Sequence, residues 1–280
     1  MDRRRFLNRL ALSVLAAGLG AGAVVAGDAA SGDVLRGGGP VIPPRGRGAP
    51  RSEPRPLPGA MKLPPYFTAP QLAKVKVPGG TITRLPGDGD LLALTVDDGA
   101  SSEVVGAYAE FARRTGMRFT FFVTASYRSW SDNAAAIRPL VEAGQIQLGN
   151  HTWSHPDLTK LADGAIQSEL SRTGDFIRST FGADARPYFR PPYGFHNGRV
   201  DAAARAIGYG TPVLWYGSLS DSGLITEEQE MQFARQWFLP QHIVIGHANF
   251  PPVTHVFDQL AQLIRDRALQ PVTLNDVFAT

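Results

Sequence analysis

Leu94-Thr95-Val96-Asp97-Asp98-Gly99 carries an apolar run straight into two adjacent carboxylates and a glycine. The run begins at Leu91, and its composition reads as a strand buried on both faces. Four later segments deliver polar chemistry at or after an apolar stretch in the same way. They are Asn150-His151-Thr152-Trp153-Ser154-His155, Phe189-Arg190-Pro191-Pro192-Tyr193-Gly194, Trp215 with Asp221, and Ile243-Val244-Ile245-Gly246-His247. Five separated pieces with one layout are hard to ascribe to coincidence.

Strands and helices alternate around these pieces. Strands are expected at Leu91–Val96, Phe119–Val123, Ile146–Leu148, Tyr188-Phe189, Val213–Tyr216 and Ile243–Ile245. Helical spacing of apolar residues places helices at Glu103–Thr115, Ala134–Ala143, Ile166–Phe181, Val200–Ile207, Glu227–Leu239 and Val256–Arg267, with Gly144 and Gly182 as stops. Nearly all-apolar strands alternating with amphipathic helices describe an α/β fold, a parallel sheet covered by helices, open or closed into a barrel. Asp97-Asp98, His151, Arg190, Asp221 and His247 then fall at or just past the C-terminal ends of strands. In such folds that edge of the sheet is where ligands bind.

The residue types carry a specific chemistry. Asp98, His151 and His155 form a mixed oxygen–nitrogen donor set that suits catalytic Zn²⁺ and tolerates other divalent metals. His151 and His155 have i, i+4 spacing, but Gly149-Asn150 before them and Pro156 after them favour a turn or loop over a mid-helix site. Asp97 is the natural base beside a metal site. Successive strand residues point to opposite faces, so a loop is needed to bring Asp97 and Asp98 into one pocket. Pro191-Pro192 stiffens the segment after Arg190, which suits aiming the Tyr193 N–H at a developing oxyanion. His247 emerges from an apolar strand as a proton donor for a leaving amine or alkoxide. His196, His242 and His255 lack such company and read as structural or solvated.

These motifs, matched in order over roughly residues 85 to 250, resemble those of the polysaccharide deacetylases, the NodB-homology domains of carbohydrate esterase family 4. The resemblance implies a distorted (β/α) barrel and metal-dependent removal of acetyl groups from a glycan such as peptidoglycan or a chitin-like polymer. It implies a divalent metal, Zn²⁺ with Co²⁺ or Ni²⁺ as substitutes, held by Asp98, His151 and His155. Asp97 is then the base, Arg190 its partner, the Tyr193 N–H an oxyanion donor and His247 the acid, with Asp221 supporting it. Trp215 and Ile245 would line the acetyl pocket. Three departures stand out: Tyr216 where Asp often follows the Trp, Ser222 where Trp usually follows Asp221, and Ile245 for Leu. The same residues would serve an O-acetyl esterase acting on xylan, or persist in a degenerate glycan-binding member of the family.

The N-terminus has its own texture. Arg3-Arg4-Arg5-Phe6-Leu7 precedes an uncharged run from Leu10 to Ala26 and then small residues, the layout of an export signal of the twin-arginine type over 1–30. Residues 27–59 contain fifteen Gly or Pro, and 31–65 is expected to be an unstructured linker ahead of a catalytic domain at 66–280. A secreted or cell-wall-associated protein follows, touching the membrane only through the signal. Nine Arg against four acids in the first 60 residues account for the net charge of +3 and leave the remainder slightly acidic. A basic nucleic-acid-binding surface on the domain is therefore not expected. Cysteine is absent, which excludes disulfides and lipoprotein anchoring.

Overall fold

The structure, a computed structural model, describes residues 66–280; the signal and linker expected over 1–65 lie outside them. In chain order the strands are β1 (Val75–Lys76), β2 (Leu91–Asp98), β3 (Phe119–Val123), β4 (Ile146–Asn150), β5 (Tyr188–Phe189), β6 (Thr211–Pro212), β7 (Gly217–Ser218), β8 (His242–His247), β9 (Gln270–Pro271) and β10 (Phe278–Ala279). β1 pairs with β10 apart from the main sheet. The main sheet runs β6-β5-β4-β3-β2-β8-β7 with β9 beside the start of β2, and every pairing in it is parallel.

Sequence periodicity explains the layering. Helix Ser102–Thr115 is opened by the Ser101 side chain, which accepts from the Val104 N–H, and closed by Gly116 at φ 77°. Its Val104, Val105, Tyr108, Phe111 and Ala112 are buried against the outer face of the sheet. Helix Asp163–Phe181 does the same with Ile166, Leu170 and Ile177 and ends at Gly182, φ 70°. The other face of the sheet carries a smaller apolar cluster that includes Ala93, Phe122, Tyr188, Val213 and Ile243. A sheet that wraps its own inner core while its end strands β6 and β7 stay unpaired to each other is a half-closed, distorted (β/α) barrel. The strand–helix alternation implies the helix-covered parallel sheet, and the family resemblance implies the distorted barrel.

One expected strand is corrected. Val213–Tyr216 is not a ladder strand: pairing occurs just before it, at β6, and just after it, at β7. Val213 forms an isolated bridge to Ile82 and donates its N–H to the Phe189 carbonyl, while the Leu214 N–H donates to the Ile82 carbonyl and the Tyr216 N–H to that of Ile243. This apolar stretch connects the sheet's two edge strands and emerges as it goes: Val213 is buried, Leu214 and Trp215 are half-buried and Tyr216 is exposed. The short helices Ser129–Asp132, Pro252–His255 and Leu274–Val277 were not anticipated. Nor were strands β1, β9 and β10; the other expected strands and helices agree with the structure to within a few residues at their ends.

Candidate active site

Parallel register fixes the starting geometry. Asp97 lies opposite His247 on β8 and opposite Phe122 on β3, and Asn150 at the end of β4 lies opposite Val123 and Phe189. Side-chain alternation turns Ala93, Thr95 and Asp97 to the inside of the barrel, with Ile243, Ile245 and His247 beside them. Asp98 would face outward if β2 continued. It adopts φ 69° instead, a left-handed conformation uncommon for a side chain with a Cβ, and this reverses its direction. Gly99 completes the turn at φ 87°, where a Cβ would lie 2.4 Å from the Trp130 ring. The buried Trp130 donates its indole N–H to the Asp98 carbonyl at 3.1 Å and holds the turn from below.

His151 and His155 approach from the loop after β4, as their flanking Gly and Pro implied. Asn150 accepts from the Thr152 N–H at 3.0 Å, the Thr152 hydroxyl accepts from the His155 N–H at 3.1 Å, and Glu169 caps Ser154. Asp98 Oδ1 then lies 3.4 Å from His151 Nε2 and 3.3 Å from His155 Nε2. A tetrahedral ion with bonds of about 2.0–2.1 Å has ligand–ligand edges of about 3.3–3.4 Å, so the spacing fits a metal centre. Two further observations agree. Asp98 Oδ1 is buried with no hydrogen-bond partner, and His151 Nδ1 sits 2.7 Å from the Arg190 carbonyl, which as an acceptor fixes the proton on Nδ1 and frees Nε2. Among the described residues no other group of three or more His, Cys, Asp or Glu has metal-binding spacing.

Electrostatics around the triad reflect close packing of opposite charges. Burial opposes ionisation of Asp98, but the close approach and charge of His151, the charge of His247 and the Asn249 amide outweigh it and hold Asp98 well below the usual carboxylate range. Burial pulls His151 down, and Asp97 and Asp98 more than restore it. His155 is lowered by burial and by the charge of His151. Protons and a cation would therefore compete for the same donors.

Asp97 and Arg190 form a buried pair, 2% and 0% exposed at the side chain, with Asp97 Oδ1 accepting from Arg190 Nη1 at 2.6 Å. The guanidinium also donates to the carbonyls of Val213 and Leu214 and lies over the Phe122 ring, 4.2 Å from its centroid. Burial lowers Arg190, and the charge and hydrogen bond of Asp97 resist that shift. Gly149 makes room for this arrangement: a Cβ there would lie 2.6 Å from Phe122. The other Asp97 oxygen is 3.5 Å from His151 Nε2. Arg190 is thus a buried partner of Asp97 and no surface residue.

His247 faces the pocket from the opposite side. Asp221 accepts from its backbone N–H and pairs with its Nδ1, both at 2.9 Å. Burial works against the imidazolium, but the hydrogen bond and charge of Asp221, with the charges of Asp97 and Asp98, push His247 up to about 9. Behind it, Glu230 is buried and pushed up to about 9 by desolvation and by Asp221.

The remaining expected residues sit at the rim or the floor. Tyr193, at φ 61°, presents an exposed ring edge-on to His155, 4.7 Å between centroids. Phe195 beside it is also exposed, 5.8 Å from Tyr193. Trp215 packs near Arg190 and Gly194, and Ile245 is buried two residues below His247. The other histidines are tied up elsewhere: His196 on Asp201, His242 on the Trp237 carbonyl and His255 on Glu227. Sequence reading missed Phe122, Trp130, Gly149 and Asn249. Only Asn249, two residues past His247 on the same strand-end loop, carried a positional hint.

Comparisons with known proteins agree with this geometry. Residues 84–212 match the family described as Polysaccharide deacetylase. Chitin deacetylase 1 of Cryptococcus neoformans is 36% identical over 128 residues, 46% of this chain and 26% of that protein. Peptidoglycan-N-acetylglucosamine deacetylase PgdA of Listeria monocytogenes is 31% identical over 147 residues, 49% of this chain and 29% of that one. The chain thus spans only about a quarter to a third of those two curated relatives. A carbohydrate esterase family 4 pseudoenzyme from Bacillus anthracis superposes with a TM-score of 0.63 at 20% identity, covering 72% of this chain and 69% of its own, which speaks for the fold alone. With its strand-end motifs in order on this half-barrel, the chain is similar to the polysaccharide deacetylases over residues 84–212.

Proposed function

We propose that the protein is an exported, metal-dependent deacetylase that hydrolyses N-acetyl groups of a glycan, either peptidoglycan or a chitin-like N-acetylhexosamine polymer. The observation that carries this reading is the convergence on one pocket of Asp97–Arg190, the Asp98/His151/His155 donor set and His247–Asp221. A divalent cation held by that set, Zn²⁺ by its donor chemistry with Co²⁺ or Ni²⁺ able to substitute, supplies a Lewis acid and acidifies water. Asp97 takes the proton of the attacking water, and Arg190 pairs with Asp97 and fixes its direction. The Tyr193 N–H donates to the developing oxyanion. His247, held protonated by Asp221, gives its proton to the departing nitrogen. An amide needs that proton more than an ester does, so a strongly supported imidazolium favours N-deacetylation over ester cleavage. The exposed Tyr193 and Phe195 rings beside His155 offer faces for a sugar ring. Paired arginines ahead of the apolar N-terminal run support export by the twin-arginine route and a site of action at or beyond the cell surface.

Acetate release by the full chain tests this reading, with N-acetylated oligosaccharides, peptidoglycan and acetylated xylan compared in the presence and absence of a chelator. Metal-dependent release from an N-acetylated substrate that Asp97→Asn abolishes is the expected outcome. A folded, metal-loaded protein that releases nothing from any of them would refute it and point to a glycan-binding member of the family.

A further inference from the structure

Asp98 uses only one of its carboxylate oxygens toward the two histidines. The other, Oδ2, accepts from Asn249 Nδ2 at 2.7 Å, while Asn249 Oδ1 accepts from the Ala100 N–H at 3.1 Å. Backbone bonds reinforce the junction: the Ala248 N–H donates to the Asp97 carbonyl at 3.0 Å and the Ser101 N–H to the Ala248 carbonyl at 3.2 Å. The loop after β8, which also carries His247, is thereby stitched to the turn that carries Asp97 and Asp98. An amide in this orientation cannot be replaced by solvent without loss of direction, because the Asp98 side chain is only 13% exposed.

We infer that Asn249 is a positioning residue for the metal centre: its amide occupies Asp98 Oδ2, so that Asp98 ligates through Oδ1 alone and stays aimed between His151 and His155. The inference rests on the metal reading above. With Oδ2 taken, the carboxylate has one free lone-pair edge, and coordination positions are left open for water and substrate. With Asn249 removed, Oδ2 is free to bind as a second ligand atom, and the carboxylate is free to rotate about a backbone already held at φ 69°. Outer partners of this kind change metal affinity by roughly 10–100-fold when lost.

The test uses the full chain as wild type, Asn249→Ala and Asn249→Leu, the last keeping the shape of the amide without its donors. Each apoprotein is titrated with Co²⁺ and with Zn²⁺ against a chromophoric chelator, and the visible d–d spectrum of the Co²⁺ form is recorded. Both variants are expected to bind roughly tenfold more weakly, with a weaker Co²⁺ absorption as coordination number rises, and with unchanged circular dichroism of the apoprotein. Wild-type affinity and superimposable spectra in both variants would overturn the inference. Loss of the fold in both would make Asn249 a structural residue and overturn it as well. A wild-type chain that binds neither ion would instead sink the metal reading itself.

Discussion

Replacing Asp221 by Asn removes one charge and one acceptor from beneath His247 and little else. Asp221 serves two N–H groups of His247, each at 2.9 Å. An amide has one acceptor oxygen, so one of those N–H groups would face an NH₂. His247 rises from 6.5 to about 9 in the wild-type pocket. At about 1.4 kcal/mol per pH unit that is a preference for the imidazolium of about 3 kcal/mol. The side chain is 12% exposed, so solvent screens little of it. Because the folded pKa lies above the unfolded one, this stabilisation is fully present below about pH 6.5 and is lost as pH rises through about 9. In Asp221→Asn, burial still opposes the charge while the strongest support is gone, so the imidazole titrates at least about one unit lower.

Two measurements on the apoprotein check this. An NMR titration of the histidine Cε1–H signals gives the pKa directly. Urea unfolding at about pH 6 and about pH 10 should show the gap between wild type and Asp221→Asn narrowing by at least about 1.4 kcal/mol at the higher pH. In turnover, the basic limb of the pH profile of kcat/KM should move to lower pH. A His247 that titrates within half a unit of wild type, or a stability gap equal at both pH values, would refute the claim that Asp221 holds the proton on His247.

Asp97→Asn should keep metal content while lowering single-turnover acetate release by about 10²–10⁴-fold, and should cost about 3–5 kcal/mol in urea unfolding because the buried Arg190 loses its counter-charge. Gly149→Ala places a Cβ about 2.6 Å from Phe122; chemical unfolding should show a loss of about 1–3 kcal/mol, with kcat falling as Phe122 is driven against Arg190. Phe195→Ala removes an exposed ring from the rim without touching Asp97, His247 or the donor set, so KM for oligosaccharides should rise by roughly tenfold with kcat nearly unchanged, as expected for about 1–1.5 kcal/mol of stacking.

How far the site could be read from the sequence follows from where each contact is encoded. Strand ends are local: an apolar run that stops at Asp97, His151, Arg190 or His247 announces both the strand and the edge at which chemistry sits. The loop character of His151–His155 was likewise legible from Gly149 and Pro156. Contacts made across the barrel leave no local trace. Asn249 and Asp98 are 151 residues apart, and nothing in either segment announces the other. Gly149 and Phe122 meet only because β3 and β4 pair in register. Val213–Tyr216 differs from expectation for a related reason: apolar composition does not report pairing, and this segment runs from buried Val213 to exposed Tyr216 between two edge strands without forming a ladder. Asp97 and Asp98 posed the reverse problem, since strand alternation alone separates two side chains that the structure brings to the same histidine.

The backbone resolves that problem at a cost concentrated on the motifs. Among the described residues seven non-glycine positions have positive φ, and Asp98, Thr152, His155, Tyr193 and Ser220 are five of them. Each lies in or next to a segment that supplies a site residue. A left-handed conformation costs roughly 1–2 kcal/mol at a residue with a Cβ, so the cluster stores several kcal/mol where the strands hand over to the loops. Its purpose is geometric: a side chain leaving a parallel strand can be turned back into the barrel only by departing from the extended conformation. What holds the turned-back residues comes largely from outside the motifs. The Trp130 indole and the Thr124 N–H grip the Asp98 carbonyl, Asn150 grips Thr152, and the Asn249 amide grips the Asp98 carboxylate. The motif residues define the chemistry, but these neighbours keep strained backbone in place, and a relative could retain every motif residue and still lose the site by losing them.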